Sequence, residues 1–350
     1  MSDYDFLTPR SRKRHLMVVE GDHEKNSLFD LILKCFPEID INIDDVIVYG
    51  TNIFELFSDI TAEYGEKWEE SDIDLPYIVS KKKNLEHSYS KRDFTNILLV
   101  FDYERQDPGF DEEKIMIMQQ YFNDVAENGQ LYLSYPMIEA YQHLLTIPDP
   151  NFESYESPAA LRAGHLYKNL VKDTVVAKVV GLPERIDDYL LKKHGISVDD
   201  RHECVRAFLE INDDSSLLAS VTSILSKVIT GHDLISATHV VTGMINAAEY
   251  ASQKQNYFAF AKEVLRQVVF HNIKKANKIQ NGNYQVANGD MQGVFLKLKQ
   301  DDILEKQNIA SRDRANGKIS VLSTCVLFIP DYNFNLLGIE VSVKTSGDLQ

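Results

Sequence analysis

The sequence has little that would staple the chain covalently or anchor it in a bilayer. Its three cysteines, Cys35, Cys204 and Cys325, stand far apart. No CxxC pair or Cys/His cluster accompanies them, which excludes a zinc ribbon or finger and leaves no disulfide framework. Such usage suits a reducing cytoplasm. No apolar run approaches the ~20 residues that cross a membrane. The opening "MSDYDFLTPRSRKRH" is basic but has no apolar stretch, so it does not read as a signal peptide. Positive charge is also short: 37 Lys and Arg face 53 Asp and Glu, a net charge of −16 over 350 residues. A uniformly basic nucleic-acid binder is therefore excluded, whereas a local basic groove is not. There is no G-x-x-x-x-G-K-[ST] phosphate loop, and "GIEVSVKTSG" at 338–347 lacks its spacing.

What is present is enough apolar material for a substantial core, 44% of residues. Residues 1–14 read as a lead-in. "LMVVE" (16–20) and "DDVIVYG" (44–50) read as buried strands, each followed by a helical apolar period, at 26–36 and 51–65. Thr51 or Asn52 is placed to cap the second helix. Residues 66–93 are polar and read as an insertion with a short strand at "YIVS" (77–80). "NILLVFD" (96–102) is a third strand, followed by a helix predicted to run to Gly129. "QLYLSY" (130–135) is a fourth strand, and "PMIEAYQHLL" (136–145) starts a helix. Continuous apolar strands alternating with helices predict an α/β fold with a parallel sheet covered on both faces. From 159 onward helical patterns dominate, with a strand expected at 318–330 and a second around "LLGIEVSVKT". The expected division is a domain at 15–146 and a mainly helical region at 159–350.

The chemistry lies in acids delivered by strand ends. The first strand delivers Glu20, with Gly21, Asp22 and Glu24 close behind. The third delivers Asp102 and Glu104, with Asp107 near. Glu139 follows the fourth, inside the next helix. In a parallel sheet those ends share one edge, the usual place for a ligand. Converging carboxylates suit a hard divalent cation, Mg²⁺ or Mn²⁺. Alternation along an extended segment would let Asp102 and Glu104 face one ion while Tyr103 turns away. Gly21 would let the backbone turn sharply or approach a phosphate. Each acid also has a plain alternative: Glu20, Asp22 and Glu24 suit a helix N-terminus, Asp107 a turn before Pro108, and Glu139 an ordinary ion pair.

Taken together, "VVEGDHEKN", "LLVFDYERQDP" and "YLSYPMIEAYQHL" resemble a toprim domain over roughly residues 14–146. Within that family the resemblance is to the toprim nucleases of bacterial antiphage defence, the RloB-like, OLD-family and PARIS effector proteins. It implies a Mg²⁺-dependent nuclease cleaving RNA, tRNA included, or DNA. It assigns catalysis to Glu20, Asp102 and Glu104, metal binding to these with Glu24 and Glu139, and the turn to Gly21. Two departures stand out: the acid pair is Asp-x-Glu rather than Asp-x-Asp, and the chain carries no ATPase motif. The resemblance is therefore to stand-alone effectors that act with a separate ATPase sensor. A homodimer is compatible with it. The rival expectation is a non-catalytic regulatory or assembly protein that binds a partner through its helical half. "SRKR" (11–14), "KKK" (81–83), Tyr132, Tyr135 and Tyr141 could touch nucleic acid, but solvated charge and core packing are the simpler readings.

Overall fold

A computed structural model describes residues 13–338 except 87, 161, 162, 287, 288 and 314. The "SRKR" stretch, the lead-in up to residue 12 and the strand expected at "LLGIEVSVKT" lie largely or wholly outside the described residues. The architecture is α/β. Four parallel strands form the centre of one sheet: β1 (Lys13–Val19), β2 (Val46–Val48), β3 (Phe94–Asp102) and β5 (Gly129–Tyr135), in the order β2-β1-β3-β5. Two short antiparallel strands, β4 (Asn123–Asp124) and β8 (Leu322–Ser323), pair with opposite ends of β5. A separate ribbon joins β6 (Glu156–Pro158) to β7 (Lys318–Ser320).

Strand alternation assigns the two faces. Leu16 and Val18 of β1 and Leu99 and Phe101 of β3 point to one core, shared with α2 (Ile53–Tyr64), α3 (Leu75–Lys82) and α4 (Glu112–Tyr121). Met17, Val19, Leu98 and Val100 point to the other, covered by α1 (Asp30–Cys35) and by the helices after residue 163. Both faces are dry, which is why these strands read as unbroken apolar runs. Each fully buried Val or Leu contributes about 1.5–3 kcal/mol. Asn52 caps α2, accepting from the Glu55 N–H at 3.1 Å, and Gly65 ends it at φ +89°.

The helical region comprises α5 (Ala163–Val171), α6 (Val175–Val180), α7 (Leu182–His194), α8 (Val198–Leu209), α9 (Leu217–Leu225), α10 (Gly231–Ala248), α11 (Tyr257–Asn281), α12 (Met291–Phe295) and α13 (Gln300–Ser311). None of the described helices is long and apolar enough to cross a membrane. The C-terminal segment pairs with β6 as β7, returns to the main sheet as β8, then turns into α14 (Phe328–Asn333).

Five expectations are corrected. "YIVS" is not a strand but lies in α3, because Ile78 and Val79 fall on one helical face against the core. Residues 66–93 are accordingly not a polar loop, since Trp68, Ile73 and Leu75 are buried. The helix after β3 stops at Tyr121 rather than Gly129, where Asn123–Asp124 pairs with the start of β5. Residues 318–330 do not form one strand: beyond Ser323 the chain becomes helical, because Cys325 to Ile329 pack as a buried plug against the face that carries Met17 and Val19. The segment at 136–145 forms only a short 3₁₀ turn, Ile138–Gln142.

Candidate metal centre

Glu20 follows the last residue of β1 and stays extended between its neighbours. Its N–H donates to Val100 O at 3.2 Å, and its carbonyl accepts from Gly50 N–H at 2.9 Å. Asp102 is the last residue of β3, directly beside it. The Asp102 N–H donates to Glu20 Oε2 at 3.1 Å, which aims the Glu20 carboxylate along the sheet edge. Asp102 Oδ1 in turn accepts from the Ile138 N–H at 2.7 Å, so the 3₁₀ turn after β5 orients the second acid. Adjacent strands lie ~4.8 Å apart, so acids at neighbouring ends meet without further adjustment. One carboxylate oxygen each of Glu20, Asp102 and Glu104 lies within 4.8 Å of the others.

Glu104 reaches this cluster by a different route from the one expected. It is not an alternating strand residue, for β3 has ended and Glu104 adopts a left-handed φ of +54°. That conformation costs a non-glycine residue about 1 kcal/mol or more. Its neighbours hold it there. The Tyr103 side chain turns away and is fully buried, its hydroxyl 2.6 Å from Asn308 Oδ1 and 3.0 Å from Ser311 Oγ. The Arg105 guanidinium donates to Ser311 O at 3.1 and 3.0 Å and to Arg312 O at 3.2 Å. Two anchors into α13 and its end thus flank one strained acid.

Glu24 and Glu139 are also brought in, and both are more than nine-tenths buried. Each has a carboxylate oxygen, Oε2, with no hydrogen-bond partner. Glu24 opens a π-helical turn, Glu24–Phe29, that runs into α1. Gly21 is needed here for space rather than for a positive φ: a Cβ on it would stand 2.9 Å from Glu24 Oε2. Glu139 Oε1 pairs with Lys168 Nζ at 3.1 Å. Asp22 and His23 are exposed, and Asp107 Oδ1 accepts from the Gly109 N–H at 2.6 Å as a turn residue does.

The electrostatics follow from this crowding. Burial, then the Glu104 charge, pushes Glu20 up to about 8, against a smaller downward pull from the Asp102 N–H. Burial and the charges of Glu20, Glu24, Glu104 and Glu139 hold Asp102 well above the usual carboxylate range. Burial and Asp107 raise Glu104. Lys168 is raised as well: partial burial pulls it down, but the charges of Glu139, Asp102 and Glu24 outweigh that pull. The cluster holds more negative charge than one lysine balances. It retains protons as a result, and a divalent cation is the natural substitute for them.

Comparison of the chain with protein-family models, characterised proteins and solved structures finds no match.

Of the acids singled out from sequence, Glu20, Asp102 and Glu104 form the tight cluster, and Glu24 and Glu139 stand around it. In the KKK stretch, Lys81 and Lys82 pair with Glu63 and Asp59 of α2 at 2.6 and 2.8 Å. Tyr132, Tyr135 and Tyr141 are fully buried and cannot stack on a base. Sequence reasoning missed Lys168, Tyr103 and Arg105 as parts of the site. Lys168 lies on α5, and nothing in its own sequence context marks it.

Proposed function

We propose that this protein is a divalent-metal-dependent, toprim-like nuclease that hydrolyses phosphodiesters of RNA or DNA. The observation that carries the proposal is the meeting of Glu20, Asp102 and Glu104 at the carboxyl edge of adjacent parallel strands. The orphaned oxygens of Glu24 and Glu139 supply the independent support. Buried carboxylate oxygens without donors are costly unless something positive reaches them. All five residues offer hard oxygen donors, the set that Mg²⁺ or Mn²⁺ prefers. Glu20, Asp102 and Glu104 would hold the ion, with Glu24 and Glu139 placed to complete or orient the shell.

When bound, such an ion neutralises charge on a phosphodiester and favours attack by water. The chain's own contribution is positional. The Ile138 N–H and the Asp102 N–H fix two carboxylates before substrate arrives. Glu20 keeps a proton up to about pH 8 in the absence of metal, and would release it on holding the ion. With a net charge of −16, a short single-stranded or looped segment entering locally suits the surface better than a wrapped duplex. By the same resemblance, the reading includes a toxic defence effector restrained by a separate ATPase subunit.

The test is cleavage of labelled RNA and DNA by the purified chain with Mg²⁺, Mn²⁺ or EDTA, beside Glu20→Ala. Metal-dependent cleavage lost in the variant supports the proposal. Cleavage that survives Glu20→Ala sinks it. One observation favours the rival regulatory reading: Leu166 and Leu170, one turn apart on α5 beside Lys168, are 72% and 59% exposed. A chain that never cleaves but captures a partner through that stripe would establish the alternative.

A further inference from the structure

One member of the lysine run at 81–83 is placed differently from the other two. Lys81 and Lys82 fasten the end of α3 to α2, and Lys82 Nζ also lies 5.6 Å from the centre of the Tyr49 ring. Asp59, the acid that Lys82 engages, accepts a hydrogen bond from the Tyr49 hydroxyl as well. The Lys83 N–H donates to Val79 O at 3.0 Å and closes the helix. This frame sets the Lys83 side chain beside Gly50. Its Nζ stands 3.8 Å from the point where a Cβ on Gly50 would lie. Among the described residues, chain neighbours apart, no other atom comes within 4 Å of that point. Both residues are exposed. The α2 acids Asp59 and Glu63 are already taken, and among the described residues no carboxylate pairs with the Lys83 ammonium.

Gly50 ties this lysine to the acid cluster. It takes a φ of +90°, which glycine adopts without strain, and its N–H donates to Glu20 O at 2.9 Å. Gly50 is thus the neighbour of Glu20 across the strand ends. Strand order then lays out the carboxyl edge. Lys83 stands over Gly50 after β2, Glu20 follows β1, Asp102 and Glu104 close β3, and Glu139 with Lys168 follows β5. Charge along that edge runs positive, negative, positive, and the four strand ends span about 14 Å. The two flanks are unlike. Lys168 answers Glu139 at 3.1 Å, whereas Lys83 is an uncommitted charge above bare backbone. An ammonium is a point charge suited to a phosphate oxygen, and a glycine beside it lets a chain pass close.

We propose that a single strand of nucleic acid lies along this edge, its scissile phosphate at the acid cluster and a neighbouring phosphate held by Lys83 over Gly50. The proposal rests on the nuclease reading of the cluster and adds the line along which the strand crosses it. Lys83 is then a substrate-binding residue that contacts no reacting atom, so it sets affinity and register rather than the chemical step. One free lysine at this flank suits a contact to one strand, not the several phosphates that a bound duplex presents.

The test is fluorescence anisotropy of the full-length protein with short labelled single strands of RNA and of DNA, in Ca²⁺ to hold back cleavage. Lys83→Ala should weaken the better-bound strand about fivefold and lower the slope of log affinity against log salt by about 0.7, the increment of one phosphate contact. Lys83→Arg should keep the wild-type affinity. Lys81→Ala, which removes the same charge two residues away, should move it less than about twofold. In Mg²⁺, Lys83→Ala should raise KM and leave kcat nearly unchanged. Three outcomes overturn the proposal: no saturable binding of either strand, equal losses in Lys81→Ala and Lys83→Ala, or a salt slope in Lys83→Ala parallel to that of the wild type. The nuclease reading is judged separately. Binding that depends on Lys83 without metal-dependent cutting would remove the nuclease and keep the path. Cutting that is lost in Glu20→Ala but indifferent to Lys83 would keep the nuclease and remove the path.

Discussion

Removing one charge from the acid cluster should stabilise the metal-free protein, and the size of the gain can be worked from the site. Glu20 titrates near 8 in the folded chain against 4.5 ordinarily. Between those values the folded state binds a proton that the unfolded state has released. Stability is therefore full at low pH and falls as pH rises through this window. At about 1.4 kcal/mol per pH unit the complete loss attributable to Glu20 is on the order of 3–5 kcal/mol. Asp102, also raised, acts in the same direction. In EDTA, the denaturation midpoint of the wild type should therefore drop steadily from pH 5 to 9. Glu20→Gln keeps the side chain's shape and an acceptor for the Asp102 N–H, so its profile should be markedly flatter and lie above the wild type at pH 8–9. Mg²⁺ or Mn²⁺ should reverse the wild-type loss, by ~2.7 kcal/mol at a hundred times its dissociation constant, and leave the variant almost unmoved. Parallel pH profiles for the two proteins, or equal stabilisation by metal, would refute the reasoning, because neither is compatible with a crowded, cation-seeking Glu20.

Other outcomes follow from single contacts. Metal binding should displace protons, so its calorimetric heat at pH 7 should change with the ionisation enthalpy of the buffer; no buffer dependence would mean the acids are already ionised. Glu104→Gly should relieve the left-handed strain and stabilise the apo protein by roughly 0.5–1 kcal/mol in urea while weakening Mn²⁺ binding. Tyr103→Phe should cost about 1–3 kcal/mol, because Asn308 and Ser311 lose a buried partner, and should lower cleavage without altering the pH profile. Gly21→Ala should fold, since the atom it meets ends a flexible side chain, yet bind metal more weakly because it displaces the Glu24 carboxylate.

The elements most legible in the chain were the ones decided by local pattern. "LMVV" and "ILLVF" are continuous apolar runs because both sheet faces are covered, and each was marked as a strand by the helical period that follows it. Position at the strand ends then implied that Glu20 and Asp102 would be neighbours, as they are. Glu104 was named for a reason the structure replaces: a left-handed turn held by Tyr103 and Arg105 aims it, not strand alternation. "YIVS" read as a strand because four residues cannot separate a β run from one face of a helix.

What the sequence determined alone was therefore the alternation of the four parallel strands with helices and the identity of the acids. Both depend on patterns a few residues long. Only the tertiary structure decided which charges surround those acids. Lys168 answers Glu139 from a distant helix, and α13 supplies the anchors that hold Glu104 in place. The unpartnered oxygens of Glu24 and Glu139 are further still from sequence, for they come from separate turns that only packing brings together. An orphaned oxygen exists only once packing has taken water away from it, so no local pattern could have announced it.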